Sequence, residues 1–245
     1  MLLLYNYDNR KIYKLLISKT GMEAKVGKTY LTVPHKGGSL TFQYPSFEGT
    51  YEKVAEQIDK EKLKRPNSPE TASLVYDAWK NPKGKYESEI VKILKDAWLW
   101  EFTGNLYLPK SNEEVNNGVI LEYNPTIENG KLAMDKSSLI KRLNENDSNV
   151  KFVPFGYKLE NQKPSELEKN PYIIARYGEE GAEKIAEVAS KYRSSPYLWS
   201  FNSVDEEKTR MSALGGFLYG GGLDVGGFWV VNLRGRSFGI VDEKK

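Results

Sequence analysis

His35 is the only histidine of this chain, and cysteine is absent from its 245 residues. No Ser-His-Asp or Cys-His arrangement with a second candidate base is therefore read in it, and no zinc site of the usual His/Cys type can be built. His35 lies in Pro34-His35-Lys36-Gly37-Gly38, a composition that predicts an exposed turn. The carboxylates Glu87, Glu89, Asp96 and Glu101 lie near one another in sequence. General acid–base catalysis needs two such groups in contrasting environments, whereas acids along a helix face are expected to be solvated. Gly21 to Thr29 imitates a phosphate-binding loop, but five residues separate its glycines where the motif has four, and a strand-like run containing Pro34 follows. Without a helix start there are no aligned amides to grip a phosphate. Gly220, Gly222 and Gly226 could pass for a dinucleotide fingerprint, yet Gly227-Phe228-Trp229-Val230-Val231 is no helix. The expectation is a protein with no catalytic residues, no metal ligands and no cofactor.

What remains is the C-terminal stretch Ser212 to Val241. It contains no Lys, Glu or Gln, in a chain where 28% of residues are charged. Gly215, Gly216, Gly220, Gly221, Gly222, Gly226, Gly227, Gly235 and Gly239 fall within it, among Phe217, Tyr219, Phe228, Trp229 and Phe238. Glycines inside strands weaken them by about 0.5–1 kcal/mol each relative to alanine. Alternate residues of a strand share a face. From Phe228 to Arg236 neither face is cleanly apolar, so this tail must be supported by the rest of the chain.

The supporting elements are well punctuated. Thr29–Val33 and Ser39–Tyr44 read as strands, as does Lys11–Ser18, split by Gly21, Gly27 and Gly37-Gly38. Thr50–Lys60 puts Val54, Ala55 and Ile58 on one helical face. Ser68 as cap and Pro69 at the first helical position open a second helix through Trp79, which Asn81-Pro82 ends. Ser88–Trp98 reads as a third helix. Trp98–Leu108 is an aromatic strand whose rings are expected in the core, and Val119–Tyr123 and Val150–Tyr157 are further strands. Ser137 or Asp135 can cap a short helix through Leu143. Asn170-Pro171 opens the longest helix, with Gly178 as a break and Ala182, Ile185, Ala186 and Ala189 as its stripe.

Composition excludes several classes. The net charge of +3 is small and its charges are interspersed, leaving no footprint for nucleic acid. The run Lys60 to Arg65 is expected to be the solvated end of a helix, where cations suit the negative pole. Met1-Leu2-Leu3-Leu4 is too short for a signal peptide or a membrane span. Without cysteines the redox compartment, and with it the location, stays open.

Trp229 set aside, every residue from Ser212 to Val241 belongs to the set reached by randomising the first two bases of an Asn codon ending in a pyrimidine. That set lacks Lys, Glu, Gln, Met and Trp. Tyr197-Leu198-Trp199-Ser200, Arg210-Met211-Ser212-Ala213-Leu214 and Arg236-Ser237-Phe238-Gly239-Ile240 bracket the segment. Here the sequence resembles the variable proteins of diversity-generating retroelements, of the archaeal or archaeal-virus type.

The resemblance implies an α+β, C-type lectin-like fold related to formylglycine-generating enzymes, with two main helices packed on short, mostly antiparallel strands. Those enzymes need cysteines, so no chemistry carries over. It divides the chain into an N-terminal β-rich extension or subdomain, 1–60, and a lectin-like domain, 61–245, diversified at 212–241. It implies a ligand-binding set of Gly215, Gly216, Phe217, Leu218, Tyr219, Gly220, Gly221, Gly222, Asp224, Gly226, Gly227, Phe228, Val230, Val231, Asn232, Leu233 and Arg234. Phe217, Tyr219, Phe228, Asn232 and Arg234 would make most contacts, because aromatics and Arg dominate hot spots. Ser212, Ala213, Trp229, Phe238 and Gly239 fall to the scaffold. The expected partner is a protein or other macromolecule on a cell or virus surface, not nucleic acid. Two alternatives stand beside it: an enzyme acting on a phosphate or sugar with a glycine-rich loop, and an interaction module whose tail is plain β core.

Overall fold

The computed structural model describes residues 23–25, 28–128, 131–216, 221–229 and 234–241. In chain order the elements are β1 (Glu23–Lys25), β2 (Lys28–His35), β3 (Gly38–Gly49), α1 (Tyr51–Lys60), α2 (Ser68–Lys80), α3 (Glu87–Asp96), β4 (Trp98–Leu108), β5 (Gly118–Tyr123), β6 (Thr126–Glu128), β7 (Lys131–Ala133), α4 (Lys136–Asn144), β8 (Val150–Pro154), β9 (Glu160–Asn161), α5 (Pro164–Leu167), α6 (Pro171–Ala189), β10 (Tyr197–Trp199), β11 (Lys208–Gly215), β12 (Asp224–Trp229) and β13 (Gly235–Ile240). The strand expected at Lys11–Ser18 lies outside the described residues.

One sheet runs β1-β2-β3-β13-β4-β11-β12-β10-β9, with β5 and β8 branching from the far half of β4. Its pairs are antiparallel except β10 with β12 and β13 with β4. A boundary at residue 60 runs through this sheet: β3 pairs with β13, and α1 packs on Trp98 and Trp100.

β4 is the centre of the molecule, buried along its whole length. Side-chain alternation sends Trp98, Trp100 and Phe102 toward Tyr51, Val54, Ala55 and Ile58 of α1, while Leu99 and Tyr107 enter the larger core under α2, α3 and α6. The rings of this strand are core, as their composition suggests.

Helix starts follow local chemistry, with one displacement. The cap of α2 is Asn67 rather than Ser68: Asn67 Oδ1 accepts from Glu70 N–H and Glu70 reaches back to Asn67 N–H, a complete capping box. Ser68 is thereby freed for a tertiary contact. Asp135 caps α4 and Asn170 caps α6. α6 is broken at Gly178, whose φ of 73° lies outside helical space. The Tyr123 hydroxyl donates to Ala175 C=O at 2.7 Å just before the break. At the basic run after α1, Lys64 pairs with Glu70 and Arg65 with Asp59 at 3.3 Å. No helix among the described residues is long and apolar enough to cross a membrane.

Candidate ligand-display site

The tail is held from beneath by one buried cation. Arg176, on the sheet-facing side of α6, and Glu101, on β4, are both fully buried and form an ion pair. Arg176 Nη1 donates to Gly226 C=O at 2.8 Å on β12, and Nη2 to Ala213 C=O at 3.3 Å on β11. Its Nε donates to the Ser68 hydroxyl at 3.3 Å, and Tyr177 Oη donates to Glu101 at 3.1 Å. Burial pushes the Glu101 carboxyl up, and Arg176 pulls it back. Burial works against the charge of Arg176 as well, but the adjacent carboxylate outweighs it, so its pKa is raised and it stays protonated. The expectation of solvated carboxylates fails here, and at Glu87, which is 3% exposed. The clue for Arg176 is its place three residues after Ile173, on the apolar face of a helix, where an unpaired charge would not be tolerated.

A hydroxyl network fixes the same strands from the side. Tyr107 Oη donates to Gly227 C=O at 2.7 Å and lies 2.9 Å from Ser200 Oγ, which is 3.0 Å from Tyr157 Oη. Tyr172 Oη donates to Asn105 Oδ1 at 2.6 Å, and Asn105 Nδ2 donates in turn to Ser212 Oγ at 3.0 Å and Arg210 C=O at 3.2 Å. Trp199 Nε1 donates to Asp224 Oδ1 at 3.0 Å. The tail's last strand is held likewise: Ser237 Oγ donates to Trp100 C=O at 3.0 Å, and Trp100 Nε1 to Gly49 C=O at 3.2 Å.

The expected ligand-facing set therefore divides. Gly215, Gly222, Asp224, Gly226 and Gly227 of that set are buried. Asp224 is 2% exposed because its carboxylate faces the Trp199 indole, and Gly226 and Gly227 are buried because their carbonyls anchor the clamp. Gly216 is half-buried; Gly221 and Arg234 are exposed. Phe228 has its backbone in β12. Phe217, Leu218, Tyr219, Gly220, Val230, Val231, Asn232 and Leu233 lie outside the described residues. Of the residues assigned to the scaffold, Ser212, Ala213, Phe238 and Gly239 are buried, and Trp229 aligns with Met211 across β11.

The register brings two points of the tail together. Leu214 is opposite Leu99 on one side of β4, and Gly235 is beside Trp98 on the other. With strands about 4.8 Å apart, Gly215 and Gly235 are two strand spacings, about 10 Å, from each other at one end of the sheet. Arg234 is exposed at that end.

Away from it, a cavity of about 110 Å³ is lined by His35, Lys36, Ser73, Gly178 and Lys184. The turn is exposed as expected, but His35 itself is half-buried: its Nδ1 is 2.9 Å from Ser73 Oγ, to which Lys184 Nζ donates at 3.0 Å. Burial, and then the charges of Lys36 and Lys184, lower the imidazole pKa from 6.5 to about 4. The folded protein keeps His35 neutral where the unfolded chain protonates it, so stability is undiminished above pH 6.5 and falls as the pH drops toward 4. His35→Gln is expected to flatten that decline in urea titrations at pH 7 and 4.5; an unchanged decline would refute the assignment. Among the described residues no group of three or more His, Cys, Asp or Glu side chains is placed to hold a metal ion.

No family model matches the chain, and no curated protein matches its sequence. Its coordinates are similar to a structure solved in work on the accommodation of massive sequence variation in Nanoarchaeota by the C-type lectin fold. The TM-score is 0.55 at 17% identity, over 80% of this chain and 98% of the other. The chain has a C-type lectin fold. At that identity the likeness carries the fold alone, with its helices against a mostly antiparallel sheet.

Proposed function

We propose that this C-type lectin-fold chain is a non-catalytic ligand-binding protein whose tail displays exchangeable side chains on a backbone fixed from outside. The observation that carries this reading is the clamp: Arg176, Tyr107 and Trp199, none of them in the tail, hold Ala213, Asp224, Gly226 and Gly227. A backbone held by constant residues can change side chains between its anchor points without re-solving the fold, and a preorganised surface avoids ordering costs on association. The residue types from Ser212 to Val241 support diversification by template-directed adenine mutagenesis, as in the variable proteins of diversity-generating retroelements. The structural neighbour, described in connection with massive sequence variation, supports the coarser reading of a variable ligand-binding protein. Kinship of the scaffold with formylglycine-generating enzymes is part of the same proposal.

The contact set narrows to Gly216, Phe217, Leu218, Tyr219, Gly220, Gly221, Phe228, Val230, Val231, Asn232, Leu233 and Arg234. The partner is proposed to be a protein or other macromolecule on a cell or virus surface. The buried fraction of the tail shares the character of plain β core, so display is confined to the stretches between anchors.

Exchanging Phe217, Tyr219, Phe228, Asn232 and Arg234 together is expected to leave the melting temperature within a few degrees, read by circular dichroism. Cooperative loss of folding would count against display. A near-copy of the coding segment beside a reverse-transcriptase gene, differing only at adenines, is expected in the genome; its absence favours the plain-core alternative.

A further inference from the structure

Clearance at the glycines of the tail is unequal. A Cβ placed on Gly222 would stand 2.3 Å from the carbonyl oxygen of Ser195, and one on Gly235 would stand 2.5 Å from Trp100 Nε1 and 2.8 Å from Trp98 C=O. On Gly227 it would lie 1.9 Å from Tyr172 Oη, a hydroxyl already committed to Asn105. On Gly216 it would meet the Tyr192 ring at 2.5 Å and Leu94 C=O at 3.0 Å; on Gly239, Leu63 Cδ1 at 2.4 Å and Cβ at 2.8 Å. These neighbours are backbone, the buried Trp100 and Tyr172 rings, the half-buried Tyr192 ring or the root of the Leu63 side chain, and close packing gives them little room to swing aside. Gly221 differs. It is exposed with no atom of the described residues within 4 Å of a Cβ, and its demand is a φ of +80°, which Asn and Asp also tolerate.

We infer that ligand specificity in this protein is partitioned by backbone clearance: Gly216, Gly222, Gly227, Gly235 and Gly239 stay glycine in every folded variant, Gly221 exchanges only with Asn and Asp, and Arg234 exchanges freely. This rests on the display reading, and it adds a rule for the coding segment. An Asn codon randomised at its first two bases yields glycine about once in sixteen, so five such codons would leave about one copy in a million able to fold where only glycine fits. The codons for these five glycines must therefore be free of adenine in the template, so that mutagenesis passes over them.

The test is single-site saturation of the full-length chain at Gly216, Gly221, Gly222, Gly227, Gly235, Gly239 and Arg234, sorted on resistance to thermolysin. At the five clashing sites, every residue other than glycine is expected to be depleted at least tenfold. Gly221 is expected to retain Asn and Asp and to lose Val and Ile, and Arg234 to retain nearly all residues. Recovery of Ala or Ser at Gly222 or Gly227 on a par with glycine overturns the partition, as does depletion at Arg234 as severe as at Gly227. The five-residue display exchange separates this outcome from the parent reading. If that variant unfolds while the glycine pattern holds, display fails and the clearance rule stands. If it folds while Ala is recovered at Gly222 and Gly227, the rule fails and display stands.

Discussion

Arg176→Met is expected to destabilise the fold by about 3–5 kcal/mol, because it leaves the Glu101 carboxylate buried without its cation. The substitution also removes the donors from Gly226 C=O and Ala213 C=O. An orphaned buried acceptor adds about 1–3 kcal/mol where water cannot reach it. Removing the charge from both sides is a different experiment. In Arg176→Met with Glu101→Leu no ion is left unpaired, and replacing a whole buried pair by apolar residues is often neutral. The double variant should therefore recover most of the loss in urea unfolding, while β11 and β12 lose their shared anchor. Amide exchange resolves this: protection should fall at Gly226 to Trp229 in the double variant even where global stability returns. If the single variant loses less than about 1 kcal/mol, the clamp does not hold the tail.

Trp100→Ala carries the second large expectation, a loss of about 3–5 kcal/mol. The side chain is 1% exposed, stands edge-on to Tyr51 with ring centroids 5.8 Å apart, and supplies the donor for Gly49 C=O. It also forms the wall against which Gly235 passes. Truncation opens a cavity between α1 and the sheet where the tail re-enters the core. Chemical unfolding measures it; a loss under about 1 kcal/mol would mean that the layer under α1 collapses to fill the space.

The helices of this fold are legible in the sequence because their signals are local. Asn170-Pro171, Asp135 and the stripe from Ala182 to Ala189 each act within a few residues of themselves, and the break at Gly178 is visible as a glycine inside a periodic run. The cap of α2 is misplaced by one residue because Asn67 and Ser68 are both good caps; what decides is Glu70, three residues beyond Asn67. The composition of the tail marks it as the unusual segment. Which residues of that tail are buried is not legible, because burial depends on partners distant in sequence. Nothing near Asp224 announces Trp199, and nothing near Gly227 announces Tyr172 or Tyr107. The Arg176–Glu101 pair is legible in hindsight from an Arg on an apolar helix face and a Glu between Trp100 and Phe102, but its register across the sheet is not.

The position of β13 between β3 and β4 bears on how the molecule is born. Phe42 pairs with Ile240, so β3 and β4 are joined through a strand that leaves the ribosome long after both of them. Contacts of such long range form slowly, and until they form, the edges of β3 and β4 stand open to other chains. The central sheet can close only after residue 240 has emerged. By then the tail has been read through, and a tail that cannot follow its prescribed path leaves the sheet in two halves. Chaperones and proteases that recognise open edges would remove such molecules, so synthesis itself becomes a proofreading step for the path of the tail.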